Sequence, residues 1–525
     1  MPVLAFSRKH WELQRVVLLS SRKSTGTMAQ RDLQITLSGG GLRKYPAKLH
    51  AQNVTRHLGV TEGLIFLAGQ HRLYIEDSDM FYPFRQRRHF YYLSGVNELD
   101  CYMTYDIGKD CSVLYIPPVT IETIVWFGRG FTIKEAENKY DFDSVMFSSS
   151  MPDEIEHWLR LNPQKKVYVL REDQSLKDII KPTIQPNYDM HSLLPALNAS
   201  RVLKDHDEIA VIRKAIEVSS IAHRTILHHI TSLKTEAQVH ALYLDVCIAH
   251  GTQLQAYPPI VGSGSNASFL HYFDNNDSLK GKSLLCMDAG AEWECYASDI
   301  TRTFPLTANG WPSKEAAEIY ALVEEMQERC IAMLGPGVRY LDAFFLADKM
   351  AAEGLMRLGI FRGEDVEEVV KSGAMRVMFP HGLGHHMGLD VHDVRSINIF
   401  QTQSREWRPD DKDDFRMQHA PCTKEAALLE PGTVLTVEPG LYFNEFALKR
   451  VYLKDPHFAK YIDEEVLERY MHVGGVRIED DILITKDGYE NLTLAPKGKE
   501  MLDVIREGAG CKHGEECSFR IKTVE

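Results

Sequence analysis

At 525 residues the chain has room for roughly two to four domains, and 44% hydrophobic with 25% charged residues is a globular balance that excludes a disordered or fibrous protein. Sixty Lys and Arg against seventy-three Asp and Glu leave a net charge of -13, which repels phosphate backbones and anionic lipid and argues against nucleic-acid binding. No apolar run approaches the roughly 18 to 20 residues needed to cross a bilayer, so no membrane span is expected.

The nine cysteines are odd in number and scattered, which argues against a disulfide framework and for a reducing, cytoplasmic setting. The first 27 residues carry five basic side chains (Arg8, Lys9, Arg15, Arg22, Lys23) and one acid, Glu12, a composition shared by mitochondrial presequences. Wound as a helix, however, this stretch places Leu4, Trp11 and Leu18 among the arginines and loses its segregation. Residues 1–44 therefore read as a flexible extension, with a targeting role or translation from Met28 as alternatives; Ser38-Gly39-Gly40-Gly41 supplies the joint.

From residue 45 to 198, short apolar runs at Leu64–Leu67, Tyr102–Tyr105, Ser112–Ile116, Thr123–Phe127 and Lys166–Leu170 alternate with helix-like stretches, predicting an α/β domain with a mixed sheet. The character changes near residue 200. Asp205–Ile230 reads as one long helix with Ile209, Ile212, Ile216, Ser220 and His223 near one face and Glu208 in an acidic first turn. Helices follow at Ser313–Leu334, capped by Ser313, and at Leu341–Leu358. Strand-like runs lie at Ser283–Asp288, Ala297–Phe304, Val434–Glu438 and Val476–Thr485, so residues 199–506 form an α+β domain. Residues 395–422 are polar and acidic and read as an exposed loop, and 507–525 as a tail; Cys511 and Cys517 in that tail do not make a zinc site.

The chemistry sits on charges where core residues belong. Asp288 ends the apolar run Leu284-Leu285-Cys286-Met287, Asp299 lies inside Tyr296–Thr301, Glu438 closes Val434–Val437, and Glu479 interrupts Val476–Leu483. A turn over Ala289–Cys295 would fold the first two strands into a hairpin and bring both aspartates together. Four carboxylates converging without cations would repel strongly, so either they stay apart or metal sits between them. Four histidines in the twelve residues from His381 to His392, interleaved with glycines, point to a site in the same domain. The segment lacks the Glu of H-E-x-x-H, and one imidazole with four carboxylates makes an oxygen-rich donor set suited to Mn²⁺.

These segments, D-A-G-A-E followed by S-D-I-T-R-T (Asp288–Thr303), H-G-L-G-H (His381–His385), V-H-D (Val391–Asp393), L-T-V-E-P-G-L-Y (Leu435–Tyr442) and G-G-V-R-I-E-D (Gly474–Asp480), resemble the proline-specific metallopeptidases, aminopeptidase P and prolidase, and most of all the fungal Xaa-Pro aminopeptidases. The resemblance extends through F-R-Q-R-R-x-F-x-Y-L-S-G in Asp79–Gly95. It implies a creatinase-like amino-terminal α/β domain followed by a pita-bread catalytic domain. It also implies two divalent ions, Mn²⁺ in first place with Zn²⁺ or Co²⁺ as alternatives. Asp288 and Asp299 would bind one ion, Asp299 and Glu479 would bridge to the second, and His385 and Glu438 would complete it. Glu438 would shuttle the proton, His392 would stabilise the developing gem-diolate, and His271 and His381 would shape the prolyl pocket. Arg477 would orient a carboxylate or the substrate, and Thr301, two residues from Asp299, would support that ligand.

The implied reaction removes the residue before proline from proline-containing peptides, in a homodimer. One departure stands out: Lys424 occupies the place where the dipeptidase branch has an arginine for the substrate carboxylate, which disfavours the prolidase alternative. Two further rivals fit less well. Methionine aminopeptidase lacks the amino-terminal domain, and a non-catalytic binding protein would not need all five ligands.

Overall fold

The computed structural model describes residues 44–394 and 428–510. Its amino-terminal part is built on a mixed sheet in the order β4-β3-β2-β1-β5-β6, comprising β1 Leu64–Ala68, β2 Tyr102–Asp106, β3 Cys111–Ile116, β4 Ser144–Phe147, β5 Lys166–Tyr168 and β6 Asn187–Asp189. The three central strands pair antiparallel and the outer pairs are parallel. The apolar β1 is buried throughout because both its faces are covered. Ile65 and Leu67 pack with Phe90 and with Val54 of the helix Ala47–Leu58. Phe66 and Ala68, pointing the other way, meet Ile155 and Leu159 of the helix Met151–Leu161.

One expected strand is a helix. Thr123–Phe127 forms the end of the helix Ile121–Phe127, opened by a reciprocal cap between Thr120 and Thr123. The flank of β3 is already paired with β4, and the local cap favours a helix for this run. Its apolar side chains stay in solvent, with Ile121 82%, Val125 73% and Trp126 74% exposed.

The carboxy-terminal part opens with the predicted long helix, His206–His229, capped by Asp205 with Glu208 reaching back. Ile212, Ile216, Ser220 and His223 are buried as its pattern implies. Two three-stranded antiparallel sheets form the inner layer. The first, β12-β9-β8, contains β8 Ile260–Ser263, β9 Leu284–Asp288 and β12 Thr301–Pro305; the second, β13-β16-β17, contains β13 Val434–Val437, β16 Asp480–Thr485 and β17 Gly488–Asn491. A small sheet of β7 Leu254–Gln255, β10 Ala291–Trp293 and β11 Tyr296–Ala297, and the pair β14 Gly440–Tyr442 with β15 Gly475–Arg477, complete the layer. The helices Glu236–Ala249, Lys314–Ala332, Tyr340–Arg357 and Gly498–Ala509 share one large core with these sheets, the pita-bread arrangement that the motifs imply. Among the described residues no helix is long and apolar enough to cross a membrane.

The structure refines three expectations at the places that matter. Between β9 and β12, the stretch expected to be a simple turn contains its own hairpin, β10 to β11, whose two turn residues Glu294 and Cys295 adopt φ 44° and 66°. Ala297–Phe304 and Val476–Thr485 are not continuous strands. The first is interrupted over Ser298–Ile300 and the second over Ile478–Glu479. An isolated bridge from Thr301 to Glu479 joins the two sheets at these breaks. The expected loop 395–422, Lys424, the amino-terminal extension through residue 43 and the tail from residue 511 lie outside the described residues.

Candidate metal centre

The strand interruptions aim carboxylates at a common point. Asp288 ends β9, Asp299 sits in the gap before β12, Glu438 follows β13, and Glu479 fills the gap before β16. Because β9 and β12 pair with Thr301 opposite Asp288, Asp299 lies beside the end of β9. The Thr301 to Glu479 bridge brings the second sheet's carboxylate to the same place. All four carboxylates, with His271, His381, His385, His392 and Arg477, line one cavity of about 430 Å³. The structure thus brings together the nine residues expected to hold metal or substrate, whereas Lys424 lies outside the described residues.

His385 is fixed by its neighbours. Its Nδ1 lies 3.0 Å from the carbonyl of His386, which makes it the donor there and leaves Nε2 facing the carboxylates. Nε2 is 3.4 Å from Asp299 Oδ2 and 3.3 Å from Glu438 Oε1. The glycine before it is needed for close approach: a Cβ on Gly384 would come within 2.3 Å of the Thr436 carbonyl and 2.5 Å of the Tyr340 hydroxyl. The Thr436 Oγ1 in turn accepts the His385 backbone N–H at 3.1 Å.

The surroundings orient the other ligand candidates. The Tyr257 hydroxyl sits between Asp288 Oδ1 at 2.6 Å and Asp299 Oδ1 at 2.5 Å. Arg477 donates through Nη2 to Asp288 Oδ2 at 2.6 Å and through Nη1 to the Tyr442 hydroxyl at 2.8 Å. That hydroxyl lies 2.8 Å from His381 Nε2, while His381 Nδ1 faces the Gly382 carbonyl at 2.7 Å, so the proton on Tyr442 points to His381. Thr301 was expected to support Asp299. Its hydroxyl instead donates to Glu479 Oε2 at 2.6 Å, because the strand break turns Asp299 away while the bridge holds Thr301 against Glu479.

Tyr257 and Tyr442 were not assigned roles from the sequence. Tyr442 lies inside the L-T-V-E-P-G-L-Y segment, where its position was the available signal; Tyr257, preceding Pro258-Pro259, carries none. Asp481 was also missed. Its Oδ2 accepts the Asp299 backbone N–H at 3.1 Å, and its buried Oδ1 has no partner among the described residues.

The electrostatics fit a cation site. Ligand atoms of Asp299, His385 and Glu479, all buried, lie within 4.8 Å of one another. Burial pushes the Glu479 carboxyl well above its usual range, and the nearby Asp299 and Glu438 charges add to the rise. Asp299 is raised by burial and by Asp288, against the lowering contact with His385. His385 is raised well above its ordinary value in spite of burial, because Asp299 and Glu438 face it. Arg477 is the one permanent cation lining the cavity among the described residues. Five clustered carboxylates, counting Asp481, therefore carry more negative charge than the protein offsets, and oxygen donors with one imidazole are the donor set of a hard divalent ion.

Comparison with known proteins gives the same picture. Residues 210–486 match the model of metallopeptidase family M24, and residues 50–168 match that of the aminopeptidase P N-terminal domain. A probable Xaa-Pro aminopeptidase of Aspergillus clavatus is 48% identical over 487 residues, spanning 91% of this chain and 96% of the relative. One from Pyrenophora tritici-repentis is 50% identical over 479 residues, spanning 89% of this chain and 72% of the relative. Among solved structures, the low-pH form of aminopeptidase P from E. coli aligns with a TM-score of 0.72 at 27% identity, over 89% of this chain and 100% of that one. The same enzyme with the inhibitor Pro-Leu aligns with a TM-score of 0.71 at 29% identity and the same coverage.

Proposed function

Because the chain belongs to metallopeptidase family M24, we propose that it is a two-metal Xaa-Pro aminopeptidase, which releases the amino-terminal residue preceding proline in peptides. The observation that carries this reading is the convergence of Asp288, Asp299, His385, Glu438 and Glu479 on one cavity whose remaining wall holds His271, His381, His392 and Arg477. The two Xaa-Pro aminopeptidase relatives, at about half identity over nearly the whole chain, support the substrate class.

Asp288 and Asp299 would hold one ion, Asp299 and Glu479 would bridge to the second, and His385 with Glu438 would complete it. The oxygen-rich set favours Mn²⁺ over Zn²⁺ or Co²⁺. Such ions, when bound, supply Lewis-acid polarisation and a hydrolytic nucleophile at neutral pH. The chain's own groups do the rest. Glu438 takes the proton from the attacking water and passes it to the prolyl nitrogen as the C–N bond breaks. His392 donates to the oxygen on which charge develops, and His271 with His381 bounds the prolyl ring. Arg477, holding Asp288 and Tyr442 at once, keeps the carboxylate and the His381 side of the pocket in register.

A homodimer would form at the exposed apolar surface of the amino-terminal part, where the Arg72 guanidinium lies over both the Phe81 and the Phe127 rings and links the segment around Tyr74–Tyr82 to the helix Ile121–Phe127. Clustered exposed apolar side chains of this kind mark protein–protein contact surfaces. Light scattering on wild type and on Trp126→Glu tests it: dimer for the first and monomer for the second. The six described cysteines are all free, which supports a reducing compartment such as the cytoplasm.

The activity test compares release of the first residue from Gly-Pro and from an Arg-Pro-Pro peptide, with Mn²⁺, Zn²⁺, Co²⁺ or chelator. Faster turnover of the longer peptide, dependent on metal, is expected. Turnover confined to the dipeptide would replace the aminopeptidase by a dipeptidase, and no release from either would reject the reading.

A further inference from the structure

The loop that carries His392 is anchored from a distant part of the chain. The side chain of Asp393, the next residue, is 1% exposed and lies between two buried cations: Arg201 Nη2 donates to its Oδ1, and Lys204 Nζ to its Oδ2 at 3.0 Å. Arg201 lies in the last turn of the helix Leu193–Val202, and Lys204 in the short link from it to the helix His206–His229. Arg201 also donates to Asp390 Oδ2 at 2.7 Å and meets His89 Nδ1, from the amino-terminal part, at 3.1 Å.

Buried ion pairs of this kind contribute little net stability compared with apolar packing; what they fix is geometry. The loop shows that it is held rather than relaxed. Asp393 N–H donates to the His386 carbonyl at 2.8 Å and Gly388 N–H to the Asp390 carbonyl at 3.1 Å, closing a tight turn. A Cβ on Gly388 would lie 2.5 Å from Asp393 Oδ2 and 2.8 Å from Lys204 Cε, so only glycine admits the ion cluster. Val394, a β-branched residue, is driven to φ 47°. At the end of this turn the His392 ring stands edge-on to His385, 4.2 Å between centroids.

We propose that Arg201, Lys204 and Asp393 are positioning residues for His392: their buried ion cluster sets where the His392 ring stands beside His385. The inference rests on the role assigned to His392 above. It also gives the amino-terminal part a grip on the catalytic loop, through His89 and Arg201.

The test is a double-mutant cycle on the metal-loaded enzyme, measuring kcat and KM for an Arg-Pro-Pro peptide, bound metal, and Tm. Asp393→Asn is expected to lower kcat about tenfold or more with KM and bound metal unchanged. In a His392→Ala background, the same substitution should change kcat less than about twofold, while its effect on Tm is undiminished. Equal loss of kcat in both backgrounds would overturn the proposal and leave the cluster a purely structural staple. If His392→Ala alone leaves kcat intact, the role of His392 itself is wrong and the proposal falls with it. Should Asp393→Asn not accumulate, Arg201→Lys, which keeps the charge but loses the fork to Asp390 and Asp393, carries the same cycle with the same criteria.

Discussion

Glu236 and Glu479 are equally hidden, 0% and 1% exposed, yet the protein treats them in opposite ways. Glu236 is saturated by donors from one loop: Ser263 N–H at 2.8 Å, Ser263 Oγ at 2.6 Å, Asn266 Nδ2 at 3.1 Å, Tyr272 hydroxyl at 2.9 Å and Asp277 N–H at 2.9 Å. Among the described residues, the Glu479 carboxylate takes its one hydrogen bond from the Thr301 hydroxyl and faces three other carboxylates across the cavity. A carboxylate ringed by hydroxyl and amide donors needs no cation and serves as a structural knot. One that is short of donors and crowded by its own kind is built for a metal.

That contrast can be broken most severely at the cavity. Asp299→Ala should lower metal-dependent turnover by on the order of a thousandfold or more, while the chelated variant melts no lower than chelated wild type, because one of several repelling anions is gone. Differential scanning calorimetry with and without Mn²⁺ reads both sides of this. Next in size is Arg302, 1% exposed, which pairs with Asp480 at 2.7 Å and caps the Glu479, Ala495 and Pro496 carbonyls. Arg302→Met should cost about 3 to 5 kcal/mol in urea unfolding, since it strands Asp480 in the core with Lys497 as its remaining cation.

Glu236→Gln sharpens the comparison. It sets an amide N–H₂ against donors that cannot all turn away, and should cost about 1 to 3 kcal/mol. It should also raise KM more than it lowers kcat, because Tyr272 and Ser263 hold the loop on which His271 and Phe273 reach the cavity. The smallest effect belongs to an exposed pair, Arg213 with Glu490 at 2.6 Å on both arms: Arg213→Ala should move stability by less than about 1 kcal/mol.

Much of this was legible in the sequence, and what was hidden was hidden for physical reasons. Asp288 and Glu438 could be found because each closes an apolar strand with a charge. The breaks at Ser298–Ile300 and Ile478–Glu479 could not, because no glycine or proline marks them in the sequence. Thr123–Phe127 has strand composition, but whether a run becomes a strand depends on its pairing partners, and here the flank of β3 is taken by β4 while the Thr120–Thr123 cap favours a helix. Glu236 escaped notice for a related reason. After the Thr235 cap it looks like any first-turn acid, and its five donors come from residues 27 to 41 positions later. The ion cluster of Arg201, Lys204 and Asp393 likewise joins segments almost two hundred positions apart.

The central claim is that the crowded carboxylates form a metal pair site on which hydrolysis depends. Metal content per chain, measured alongside turnover during stepwise chelation and reloading, tests it directly. Two divalent ions per chain, lost and regained in step with Xaa-Pro cleavage and never acquired by Asp299→Ala, is the result predicted. Cleavage that persists after the ions are gone, or a full metal complement in Asp299→Ala, would contradict it.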